Sequence, residues 1–125
     1  MAVTIQTLLD GPRNVVIQIA STGSDTAQLI LDVSALSPAC TRVRLQQAWM
    51  SIAEGGTASV LWDATADTVA LTVAGGSASH RDFRSFGGIR NNAGAGITGD
   101  VMLTTSAHAG SYILEFAKSG TVDRA

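Results

Sequence analysis

The sequence predicts an all-β domain, an antiparallel sandwich of about eight strands. Period-2 alternation of apolar and polar residues recurs along the chain. Turn-forming clusters sit between the alternating runs at regular intervals. Only one window carries an apolar spacing that a helix could use.

The elements follow in order. Val3–Leu9 fits a first strand, and Val15, Ile17 and Ile19 alternate with Val16 and Gln18 in a second. Leu29, Leu31 and Val33 alternate with Ile30, Asp32 and Ser34. In Val43–Ile52, Leu45, Ala48, Trp49 and Ile52 would share a helical face. The following Gly55-Gly56 and the β-branched content elsewhere favour a strand, with the helix as its alternative. Ala58–Trp62 is a fifth strand, Val69–Val73 a sixth, Val101–Thr105 a seventh, and Tyr112, Leu114 and Phe116 mark the last. Asp10-Gly11-Pro12, Ser21–Asp25, Glu54-Gly55-Gly56, Ala64–Asp67, Gly75–Ser77 and His108–Gly110 separate the runs. Short strands at this spacing point to a sandwich of jelly-roll type. No linker or repeat interrupts the pattern, so residues 1–118 read as one domain. Residues 119–125, small and polar, read as a frayed tail.

Composition narrows the function classes. Charged residues make up only 14% of the chain, against roughly 25% in soluble domains, and small neutral residues fill the gap. A surface of that kind costs little to desolvate and suits contact with protein. The net charge of −2 and the scattered basic residues give no extended positive field, which argues against nucleic acid. The single cysteine, Cys40, has no internal disulfide partner and reads as a small hydrophobe. No basic segment leads into an apolar core at the N-terminus, and no window reaches the roughly 18 apolar residues of a membrane span. Folding in a cytosol is the expectation.

No catalytic constellation is evident, and the chain reads as a non-enzyme without cofactor or metal. Gly94-Ala95-Gly96-Ile97-Thr98-Gly99 spells a dinucleotide fingerprint, but a β-pattern follows it where the phosphate-binding helix should begin. His80 and His108 lie in turn-rich segments, and no glycine-flanked elbow marks an activated serine. Asp63 and Asp67 flank a turn that lacks the glycine and terminal glutamate of a calcium loop, so backbone capping is their expected role. Trp49 and Trp62 are expected in the core, with the indole N–H bonded near the rim. Sugar stacking is the sharper alternative for Trp62.

The segment Phe83–Thr105 (FRSFGGIRNNAGAGITGDVMLTT) carries the most specific signal. Its glycines and asparagines are expected to supply positive φ angles and close backbone approach, which makes a shaped loop. Arg81, Phe83, Arg84, Phe86 and Arg90 are the residue types that anchor interfaces. Alternatively Phe83 and Phe86 plug the end of the sandwich while the arginines are solvated.

Asp10-Gly11-Pro12-Arg13-Asn14-Val15-Val16, Val60-Leu61-Trp62-Asp63-Ala64-Thr65, Asp82-Phe83, Phe86-Gly87-Gly88 and Asn92–Asp100 resemble small virion structural proteins of tailed bacteriophages. Within these, the nearest likeness is to capsid cement, or decoration, proteins, and it runs from about Asp10 to Lys118. The resemblance implies a jelly-roll-like fold with no active site. It also implies folding in the bacterial host cytoplasm and docking on the major capsid protein lattice at the head surface of the virion. Symmetric docking sites favour a homo-oligomer, most often a trimer. The alternative is a tail or fibre module that binds a host surface glycan.

Overall fold

The computed structural model describes residues 3–21, 25–36, 40–75, 78–94, 96, 98–106 and 109–119. Among these residues nine strands form: β1 (Val3–Asp10), β2 (Asn14–Ser21), β3 (Asp25–Leu31), β4 (Arg42–Ile52), β5 (Thr57–Trp62), β6 (Thr68–Ala74), β7 (Ala78–Asp82), β8 (Val101–Thr105) and β9 (Gly110–Ser119). They build two antiparallel sheets, ordered β1-β2-β9-β4-β7 and β3-β8-β5-β6. With β1 set aside, the orders 2-9-4-7 and 3-8-5-6 are those of a jelly roll, two Greek keys wound into facing sheets. Helical structure among the described residues is limited to two three-residue 3-10 turns, Val33–Ala35 and Arg84–Phe86.

Alternation fills the space between the sheets. Val15, Ile17 and Ile19 of β2 and Tyr112, Leu114 and Phe116 of β9 face Val101 and Leu103 of β8 and Val60 and Trp62 of β5, all essentially without solvent exposure. Fully burying a side chain of this size stabilises the fold by about 1.5–3 kcal/mol. β4 changes phase. A bulge between Leu45 and Gln47 switches its inward residues from Val43 and Leu45 to Ala48, Met50 and Ile52. That extra residue produces the spacing of three between Leu45 and Ala48 that the sequence offers to a helix.

Several sequence expectations are corrected. Trp49 is not in the core: the phase change in β4 turns it outward and leaves it 38% exposed. Trp62 is fully buried, but its indole N–H has no hydrogen-bond partner among the described residues. Leu29 is exposed and Ile30 buried because β3 shifts register between Leu29 and Leu31; Val33 is buried from a 3-10 turn instead of a strand. The ninth strand, β7, is Ala78-Ser79-His80-Arg81-Asp82, which has no apolar alternation. Among the described residues it pairs only with Gln47–Ser51 of β4, and polar residues are what an exposed sheet edge carries. Arg81 therefore belongs to a strand, not a loop. Ser119 ends β9 opposite Arg42, so the sandwich reaches one residue into the expected tail; residues 120–125 lie outside the described residues.

Candidate functional site

The loop from Phe83 to Asp100 is shaped by specific contacts. Gly87, Gly88, Gly96 and Gly99 have positive φ as expected, whereas Asn91 and Asn92 do not. Gly88 shows the need: at φ +90° an added Cβ would sit 3.1 Å from the carbonyl oxygen of Leu45. Ile89 then pairs with Leu45 through two backbone hydrogen bonds, of 2.9 and 3.0 Å. Further on, Thr98 Oγ1 donates to Asp63 Oδ2 (2.8 Å), and the Asp63 N–H donates to the Asp100 carbonyl (3.1 Å). Asp67 Oδ1 caps the neighbouring turn by accepting the Ala64 N–H (3.1 Å), the role expected of it, whereas the Asp63 carboxylate takes the Thr98 hydroxyl instead of a backbone N–H. Asp100 Oδ1 accepts the Val33 N–H (3.0 Å). Burial raises the Asp100 pKa above its ordinary value, aided by the charges of Asp32 and Asp63 and opposed by that hydrogen bond.

The five sequence-predicted interface residues fall into separate settings. Phe83 is half-buried against the core, while Phe86 is 66% exposed and meets Phe83 edge-on with ring centroids 6.2 Å apart. The end-plug reading therefore fits Phe83 and not Phe86. Arg84 forks onto Asp82, with Nε–Oδ1 at 3.0 Å and Nη2–Oδ2 at 2.8 Å. These bonds, with the Arg84 backbone N–H, lower the Asp82 pKa to about 2. Arg81 is exposed on β7 opposite Ala48. Arg90 stands apart from the aromatics, beside Arg42, Arg44 and Asn91, around a cavity of about 330 Å³.

The outer face of the larger sheet carries a second group that sequence reasoning missed. Trp49 stacks on His80, with centroids 4.8 Å apart and planes 11° from parallel. Trp49, Val16, Ile113 and Glu115 line a hollow of about 410 Å³. Gln47 Nε2 donates to Glu115 Oε1 (2.6 Å), and Asn14 Nδ2 donates to Glu115 Oε2 (3.3 Å). That fixes the Gln47 amide with Oε1 toward His80 Nε2 (3.0 Å), so His80 donates from Nε2. The arrangement offers a flat aromatic surface, amides and a carboxylate, and no nucleophile is paired with a base in it. Its signal in the sequence was the parity of β4 beyond its bulge.

The third feature is β1, an edge strand whose backbone ladder among the described residues runs to β2. Thr4 to Leu9 are all exposed, so both faces of the strand meet solvent; Ile5 (38%), Leu8 (46%) and Leu9 (51%) are its large apolar side chains.

Among the described residues no group of three or more His, Cys, Asp or Glu side chains could hold a metal ion. No helix among them is long and apolar enough to cross a membrane. His108 lies outside the described residues, and Cys40 is buried. No protein-family model matches the chain, and no curated protein matches it. Among solved structures it is similar to a protein of Ralstonia eutropha JMP134 provisionally named as a mannose-6-phosphate isomerase. The two share 14% identity over 94% of this chain and 86% of that one, with a TM-score of 0.39, and at that level the likeness carries no argument.

Proposed function

We propose that this protein is a non-enzymatic phage virion structural protein, a capsid cement protein that docks on the major capsid protein lattice of the assembled head and stabilises it. The observation that carries the reading is β1. An eight-residue edge strand with apolar side chains on both open faces is a template for pairing with another chain. A protein that spends its working life bound to a lattice covers such an edge. The exposed Phe86 adds an apolar anchor of the kind that interfaces use, and the resemblance of Asp10–Lys118 to decoration proteins points the same way. Binding to the intact shell and not to the loosened one raises shell stability by mass action. A trimer is the expected assembly on a shell of local threefold sites.

The test is co-sedimentation with empty heads of the cognate phage. Leu8→Asp with Leu9→Asp should weaken binding by at least about thirtyfold, the effect of losing about 2 kcal/mol at a buried anchor, while the fold stays intact. Full occupancy by that variant would remove β1 as the contact. Phe86→Ala with Arg90→Ala tests the loop in the same assay.

The stacked Trp49–His80 pair beside Glu115 and Gln47 favours a second reading, a tail or fibre module that stacks a host glycan on Trp49. Glycan-array binding that disappears in Trp49→Ala, with no binding to heads, would replace the first reading by this one. Trp62, fully buried, is removed from that role.

A further inference from the structure

We infer that the hollow formed by Arg42, Arg44, Arg90 and Asn91 is a binding site for a phosphate group, free or at the end of a small phosphomonoester. The inference does not depend on where in a virion the protein sits.

The backbone assembles the site. Val43 and Leu45 of β4 point into the core with no exposure, so Arg42 and Arg44 project from the opposite face of the strand. The two hydrogen bonds between Ile89 and Leu45 then bring Arg90 and Asn91 alongside, and the four residues surround about 330 Å³. Asn91 is only 6% exposed, and its Oδ1 accepts the Ala93 N–H at 3.1 Å. That bond fixes the amide and leaves Nδ2 to donate elsewhere. Nδ2 of Asn91 and Nε of Arg44 are both shut off from solvent with no hydrogen-bond partner among the described residues. Buried donors without acceptors are rare in folded proteins and call for a missing partner.

Charge says what that partner is. Among the described residues no carboxylate forms an ion pair with any of the three arginines around the hollow; the acids that do pair among those residues are Asp82, with Arg84, and Asp10, with Lys118. Three guanidinium groups around one space repel each other unless an anion lies between them. The ligand must accept hydrogen bonds only, carry more than one negative charge and match the planar fork of arginine. A phosphomonoester dianion meets all three demands, whereas a single carboxylate leaves most of the positive charge uncompensated.

The experiment is isothermal titration calorimetry on the full chain with inorganic phosphate, glycerol 3-phosphate and glutarate, against sodium chloride at matched ionic strength. Saturable binding of either phosphate probe, tighter than glutarate, is expected. Tighter binding of glycerol 3-phosphate than of inorganic phosphate identifies the phosphomonoester, and the reverse identifies the free ion. Arg90→Gln and Asn91→Asp should each weaken binding at least about tenfold, and Arg81→Gln, outside the hollow, should not. Arg90 is exposed, so its variant stays testable if changes at Asn91 disturb the loop. No saturable binding by the wild type up to about 10 mM, or binding unchanged in Arg90→Gln, would overturn the site.

Discussion

Lys118 Nζ donates to Asp10 Oδ1 at 2.6 Å, and this pair ties the end of β1 to the end of β9 across the intervening β2. The Lys118 side chain has no solvent exposure and that of Asp10 has 25%. Removing one partner of a buried pair costs about 3–5 kcal/mol. Asp10 is partly solvated, so Asp10→Ala is expected at the lower end, about 3 kcal/mol in urea denaturation. Hydrogen exchange should rise first along β1, and an effect under about 0.5 kcal/mol would mean the pair is not coupled to folding.

The two tryptophans should report separately. Trp49 is 38% exposed on the outer sheet face, while Trp62 is fully buried with an N–H that lacks a partner among the described residues. Trp49→Phe should leave a blue-shifted emission that acrylamide barely quenches. Trp62→Ala should cost about 3–5 kcal/mol from the cavity it opens. Trp62→Phe should cost much less, because it also removes an unsatisfied buried donor.

Legibility in the sequence followed locality. Strands with uninterrupted alternation, such as Val15–Ile19 and Tyr112–Phe116, could be read directly because each residue's side is fixed by its neighbours. Trp49 could not: counted in twos from Val43 and Leu45 it belongs inside, and only the bulge between Leu45 and Gln47 reverses that parity. β7 is a strand because β4 has an edge to pair, not because Ala78–Asp82 has a pattern. The interface-type residues Arg81, Phe83, Arg84, Phe86 and Arg90 were visible by type, but their grouping was not. Arg90 joins Arg42 and Arg44 through the Ile89–Leu45 bridge, a contact between residues 44 positions apart.

Asp100 sets a pH dependence. Its unfolded carboxyl ionises near 3.8, and burial raises the folded value above that, so between the two the folded state holds more proton. Stability from this group therefore falls as pH rises through that window and stays reduced above it. Asp100→Asn keeps an acceptor for the Val33 N–H and removes the charge, so it should be at least as stable as wild type at pH 7. That advantage should shrink as pH falls through the same window and be gone below about 3.8. Asp100→Ala loses the acceptor and should be less stable by about 1–3 kcal/mol. Thermal melts at pH 3.5 and pH 7 separate the two, and Asp100→Asn melting below wild type at pH 7 would contradict the argument.

The second half of the loop rests on the β5–β6 turn, and two glycines two positions apart provide an internal comparison. Gly96 has φ +78°, and a Cβ there would collide with Thr65 Oγ1 and lie 2.9 Å from the Thr65 backbone nitrogen. Gly94 has nothing within 4 Å of the same position, and its φ is not in the left-handed region. Gly96→Ala must therefore accept a strained φ and push the loop off the turn that holds Thr98 to Asp63. A loss of about 1–3 kcal/mol is expected. Gly94→Ala should be neutral or stabilise by up to about 1 kcal/mol, because alanine restricts the unfolded chain at no cost to the folded one. Chemical denaturation of the two variants side by side measures the difference, and equal stabilities would mean that the loop does not rest on the turn in solution.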